Sequence, residues 1–142
     1  MLGQYELMYV VGDERDLVAL RVNHRKDDVY LYRAKAMPEQ AQALFLDVFQ
    51  RVNKLHDEPE FYHTITNNCT TNIAQHVNRL SPSRIPYDPR LLFSGYSDQL
   101  AYELGLLDTK LPFKQARRRA EISDLVRKNA DRADFSARIR RR

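Results

Sequence analysis

The strongest constraint on the fold is an apolar stripe between Pro38 and Leu55. Ala41, Leu44, Phe45, Val48, Phe49, Val52 and Leu55 recur at i, i+3, i+4 and i+7, the period of one helix face. Pro38 suits the first helical position, where a missing N–H costs nothing. A stripe of this length predicts a helix whose apolar face belongs to the core. With 142 residues the chain can bury one such core.

Other elements can be placed around this helix. Tyr5–Val11 (YELMYVV) is aromatic and β-branched and predicts a strand. It starts almost at the first residue, so the chain is expected to begin inside a fold. Asp13 can cap a short helix, DERDLVALRVN, with Leu17, Leu20 and Arg21 on one face. Val29–Arg33 predicts a second strand. Residues 56–68 read as a connecting segment. A helix is expected from Cys69 to Leu80, with Ile73, His76, Val77 and Leu80 on one face. SPSRIPYDPR (81–90) holds three prolines and reads as a loop. Short helices are expected at Pro89–Phe93 and Ser97–Leu104, the second stopped by Gly105. Pro112–Asn129 reads as one last helix, with Phe113, Ala116, Ala120 and Val126 as its apolar positions. The following tail, ADFSARIRRR, is expected to be frayed.

Charge is unevenly spread. Residues 114–142 carry 11 Lys/Arg against 4 Asp/Glu, a net +7, and residues 1–113 carry 12 against 15, a net −3. The expected division is therefore an α+β body over 1–113 and a basic helix and tail over 114–142. A uniformly basic nucleic-acid binder has no such asymmetry. The basic segment also lacks interleaved aromatics apart from Phe135, which argues against a nucleic-acid surface. A solvated, charged helix and tail is the expected reading, with contact with an anionic membrane surface through this tail as the alternative. No run of apolar residues approaches the 18 needed to span a bilayer, and the first residues lack the basic and small-residue pattern of a secretory signal. A glycine-rich phosphate loop is not expected from four separated glycines. The acidic trio Asp13, Glu14 and Asp16 is explained by a solvated helix start. Neither a metal nor a cofactor is implied.

The chain has one cysteine, Cys69. No internal disulfide can form, and a cysteine-based zinc site is disfavoured. Asn68 is a strong N-cap residue and places Cys69 in the first turn of its helix. The positive end of the helix dipole favours thiolate there. Asn67, Asn68 and Thr70 make its surroundings polar, unlike those of a cysteine used only for packing. The cap also accounts for Asn68 better than the glycosylation pattern Asn68-Cys69-Thr70 does. A nucleophilic thiol needs a base, and no histidine stands out. His76 lies two helical turns away, about 10 Å, too far for direct proton transfer. His63, six residues before Cys69, could fold back as the base. His24 sits in a charged turn, and His56 follows the long helix.

Several stretches carry a family resemblance. QYELMYVVGDERDLVALR (4–21), DDVYLYRA (27–34), ALFLDVFQRVNKL (43–55), EFYHTITNNCTTNI (60–73), IPYDPRLLFSGYSDQLAYELGLLD (85–108) and LPF (111–113) resemble the C-terminal part of the Lnb-type N-terminal periplasmic domain family. The resemblance spans roughly residues 4–139, and NNCTTN is its most specific run. It implies a bacterial envelope protein on the periplasmic side of the inner membrane, related to circularly permuted papain-like hydrolases whose catalytic His precedes the Cys. The motif carries the nucleophile's role onto Cys69, flanked by Asn68 and Thr70. The upstream half, where the His-bearing strand is expected, has no counterpart here. The resemblance therefore implies a partner segment, upstream or on another envelope protein.

The fold expected is α+β: a small antiparallel sheet packed with helices, resembling part of a papain-like domain. Two functions follow. One is a cysteine hydrolase or acyltransferase acting on an amide or ester of a small molecule or peptide. The other is a non-catalytic module that packs with a missing segment or an envelope partner.

Overall fold

Pro38 does begin the long helix, and the Gln40 side chain accepts from the Met37 N–H at 2.9 Å to tie down its first turn. The helix ends at Asp57, just before Pro59. In the computed structural model, which describes residues 2–81, 84–92 and 94–141, the regular elements in chain order are β1 (Leu2–Glu6), α1 (Glu14–Ala19), α2 (Pro38–Asp57), β2 (Phe61–His63), α3 (Cys69–Leu80), α4 (Ser97–Glu103), α5 (Phe113–Ala120), α6 (Ser123–Asn129) and α7 (Phe135–Arg138). The fold is α+β, with β1 and β2 paired antiparallel. Met1, Pro82, Ser83, Phe93 and Arg142 lie outside the described residues. So do the predicted end of a helix at Phe93, the first proline of the predicted loop, and the last arginine of the basic run.

The chain divides into two compact units, one of Met1–Tyr9 with Lys35–Leu106, the other of Val10–Ala34 with Leu107–Arg142. In the first, Leu2 pairs with His63 and Glu6 with Phe61. Five residues of β1 thus oppose three of β2, and the register is irregular between these pairs. The strand is Leu2–Glu6 and not Tyr5–Val11; beyond it, Leu7 N–H still donates to Glu60 O at 2.7 Å. β2 falls inside the segment expected to be a connector. Its signal, Phe61-Tyr62-His63, is only three residues long. His63 and Asn67 then exchange backbone hydrogen bonds at 3.1 and 2.9 Å around a tight turn, which delivers the chain to α3.

α2 corrects the first expectation from sequence. Within its stripe only Leu55 is buried, whereas Phe45 is 61% exposed, and Leu44 and Phe49 are also open. The face turned toward α3 is the polar one: Asp47 meets His76 and Arg79 there, while Arg51 pairs with Glu60 before β2. Ile73, expected on the buried face of α3, is exposed, while His76 on that helix is buried. The apolar core of this unit is small: Ala74, Leu91 and Leu100, with Ile85 against them. Tight turns at Pro89–Leu91 and Ser94–Tyr96 lead into α4. Gly105 follows its end at φ +69°, a conformation that favours glycine.

The second unit holds the larger apolar core: Val22, Ile122, Val126, Phe135 and Ile139. Asp13 caps α1 by accepting from Arg15 N–H at 2.8 Å, as its sequence predicts. The helix then widens over Leu20–His24, which turns Val22 inward and leaves Leu20 exposed. Val29–Arg33 forms no regular strand. It makes isolated bridges, Tyr30 with Glu121 and, just beyond it, Ala34 with Leu107. Those bridges explain why Pro112–Asn129 is two helices. At Glu121 the backbone becomes extended, Ile122 N–H donates to Val29 O at 2.9 Å, and Ser123 Oγ accepts from Val29 N–H at 3.1 Å. The break exchanges helical bonds for cross-chain ones and buries Ile122. The tail is likewise not frayed. Phe135 and Ile139 are fully buried, each burial contributing about 1.5–3 kcal/mol.

Candidate functional site

Cys69 is the first residue of α3 and its thiol is exposed. The helix start is firmly built. Asn68 Oδ1 accepts from Thr71 N–H at 2.8 Å, Thr71 Oγ1 accepts from Asn68 N–H at 2.8 Å, and Asn68 Nδ2 donates to Thr64 O at 2.6 Å. The cap is thus satisfied on both sides of its amide, and Asn68, Thr70 and Thr71 are buried around it. Among the described residues, neither the Cys69 N–H nor the Thr70 N–H meets an acceptor. Two backbone donors therefore stand free beside the thiol, at the positive end of a 12-residue helix. Among the described residues, the thiol's one hydrogen-bond contact is with Thr70 Oγ1 at 3.7 Å.

His63 sits on β2. Its Nδ1 faces Thr66 N–H at 3.1 Å, Thr66 Oγ1 at 3.0 Å and Ile65 N–H at 3.3 Å. Accepting the two backbone bonds puts the neutral ring's proton on Nε2. Among the described residues no hydrogen bond joins His63 to Cys69. Asn67 lies between them and is otherwise engaged, donating to Phe61 O at 3.0 Å and accepting from Asn72 Nδ2 at 2.8 Å.

A second constellation centres on His76, which the sequence set aside as a base for Cys69, and joins it to residues that the sequence reading did not pair with it. His76 is buried on α3. Its Nδ1 meets the Asp47 carboxylate, and its Nε2 lies 2.8 Å from the Tyr9 hydroxyl. Tyr9 also donates to Asn72 Oδ1 at 3.3 Å. Arg79 closes on Asp47 through Nε at 2.9 Å and Nη2 at 2.7 Å. Arg51 forms a bidentate pair with Glu60 at 2.6 and 2.7 Å, and Glu60 accepts from Asn67 Nδ2 at 3.3 Å. One connected network thus runs from Arg79 through Asp47, His76, Tyr9, Asn72, Asn67 and Glu60 to Arg51. The Arg79 hydrogen bonds, more than those from His76, hold the Asp47 carboxyl down at about 2 against the effect of its burial. Arg51 lowers Glu60 in the same way, while burial raises the Tyr9 phenol above its ordinary value.

The sequence contains a signal for this network. Asp47, Arg51 and Lys54 recur at i, i+4 and i+7 on α2, and Asn72, His76 and Arg79 do so on α3. Two polar stripes of matching period can face one another. An open cleft of about 540 Å³ follows the network, lined by Asp47, Arg51, Glu60, Asn67 and Arg79 among others; Cys69 does not line it. Among the described residues no group of three or more His, Cys, Asp or Glu is placed to hold a metal ion.

Residues 1–95 match the family described as the Lnb N-terminal periplasmic domain. The chain belongs to that family. The match takes in β1 to α3, with Cys69 and the whole polar network, and ends at residue 95, short of the full span of the sequence resemblance. The Lnb N-terminal periplasmic domain family places the chain among envelope-associated proteins. Among the described residues no helix is long and apolar enough to cross a membrane. Searches of curated proteins and of solved structures gave no match.

Proposed function

We propose that this Lnb-type domain is a cysteine hydrolase or acyltransferase acting on an amide or ester at the periplasmic side of the inner membrane, with Cys69 as nucleophile. The observation that carries this reading is the exposed Cys69 thiol beside two free backbone N–H groups at a rigidly capped helix start. In the reaction the thiolate attacks the carbonyl carbon. The developing oxyanion is taken up by the Cys69 and Thr70 N–H groups. The bond to nitrogen or oxygen breaks, the leaving group takes the proton held by the base, and a thioester remains on Cys69. Water or an acceptor amine then releases the acyl group. His63 is the base in this reading. To receive the thiol proton at Nε2, its ring must first move its own proton to Nδ1 and give up the backbone bonds from Thr66 and Ile65.

The test is mass spectrometry of the intact chain with an activated ester. A burst of released alcohol, with the acyl mass retained on Cys69 and lost in Cys69→Ala, is the expected result. Equal hydrolysis by wild type and Cys69→Ala, with no acyl adduct, refutes the reading.

A second reading has its own observation. Phe45, Leu46 and Phe49 form an exposed apolar face on α2, and the Phe45 and Phe49 ring centroids lie 4.6 Å apart, tilted by 41°. A non-catalytic module that packs with another envelope segment would use such a face. Inert Cys69 chemistry, together with self-association abolished by Phe45→Ser, favours this reading over the first.

A further inference from the structure

The second unit contains a cleft of about 470 Å³ with no lining residue in common with the Cys69 site. Its floor is apolar, from Leu31, Leu107, Ala116 and Ala120. Ala116 and Ala120, with their small side chains, are buried on α5. The rim is cationic. Lys110 and Arg119 line it and, among the described residues, have no hydrogen-bond or ionic partner. Arg33 is ion-paired with Asp108, itself a lining residue, at 3.2 Å. Arg140 is likewise paired: Glu14 clamps it at 2.6 and 2.8 Å, which neutralises it and fixes one wall.

From this arrangement we infer that the cleft binds a small amphiphilic anion, a carboxylate or phosphate group on a hydrocarbon body. A neutral apolar ligand would make no use of Lys110 and Arg119. A bare inorganic anion would leave the floor wet. Only a ligand combining both groups satisfies floor and rim together, and the volume is in the range of small-molecule sites. Arg119 supplies a planar fork for two anion oxygens, and Lys110 supplies a point charge. The inference uses no residue of the Cys69 site and is independent of the proposed hydrolase activity.

Titration calorimetry of the full chain tests it with three probes: octyl phosphate below its micelle concentration, octanol, and inorganic phosphate. Octyl phosphate is expected to bind at least tenfold more tightly than either of the others. Lys110→Ala/Arg119→Ala should weaken it at least tenfold, while Lys114→Ala/Arg118→Ala, which removes the same charge outside the cleft lining, should leave it within twofold. All four side chains are exposed, so folding is retained, and circular dichroism checks this. Competition by phosphatidylglycerol vesicles identifies the anion as a bilayer headgroup; absence of competition identifies a free ligand. Equal affinity for the three probes, or equal losses in the two double variants, overturns the inference.

Discussion

Asp47→Asn isolates the polar interface between α2 and α3. The substitution keeps the shape of the side chain and removes the charge shared by His76 and Arg79. Asp47 ionises at about 2, below its ordinary 3.8. At about 1.36 kcal/mol per pH unit, that difference corresponds to about 2.4 kcal/mol of stability. Water reaches part of the pair, since Arg79 is 45% exposed, and the expected loss at pH 7 is accordingly about 1–2 kcal/mol. The sign fixes the pH dependence. The folded-state value is depressed, so the stabilisation is fully present above about pH 4 and is lost as pH falls through 2. Urea unfolding followed by circular dichroism at pH 7, 4, 3 and 2 measures it. Wild type should exceed Asp47→Asn by about 1–2 kcal/mol at pH 7, with the gap closing by pH 2. Other carboxylates are common to both chains and cancel. A gap that is absent at pH 7, or that stays constant down to pH 2, refutes the reasoning.

Other substitutions test the packing. Phe135→Ala empties a fully buried position and should cost about 3–5 kcal/mol in urea unfolding; a frayed tail would lose nothing. Phe45→Ser should change stability by less than about 0.5 kcal/mol, because the ring is mostly in water. A Phe45 inside the core would give a loss several times larger. Asn68→Ala removes a cap satisfied on both sides. It should cost about 1–2 kcal/mol and slow alkylation of Cys69 by a thiol reagent at neutral pH.

These predictions turn on which side of α2 faces α3. A helix buries its apolar stripe when a complementary apolar surface is available. Here α3 offers Asn72, His76 and Arg79 at the matching period, and buried polar groups must be paired. Asp47 satisfies that demand for His76 and Arg79; Phe45 and Phe49 cannot. The orientation was not legible from α2 alone, because its apolar period is the stronger signal within that one segment. It became visible only when the polar stripes of two helices were laid against each other. His76 illustrates the same point. Measured along its own helix it is two turns from Cys69 and has no evident role, yet across the interface it is the centre of the network.

Local chemistry in the sequence determined where most helices start and stop. Pro38, Asp13, Asn68 and Gly105 act through their own backbone geometry and near neighbours, so the capped Cys69 was legible without any tertiary knowledge. The tertiary structure decided what each face meets. It broke Pro112–Asn129 at Glu121 because residues 29–31 needed backbone partners, and it ordered residues 135–139 because Phe135 and Ile139 completed a core begun more than a hundred residues earlier at Val22. Those outcomes depend on surfaces brought together from distant parts of the chain, and no single segment encodes its partner.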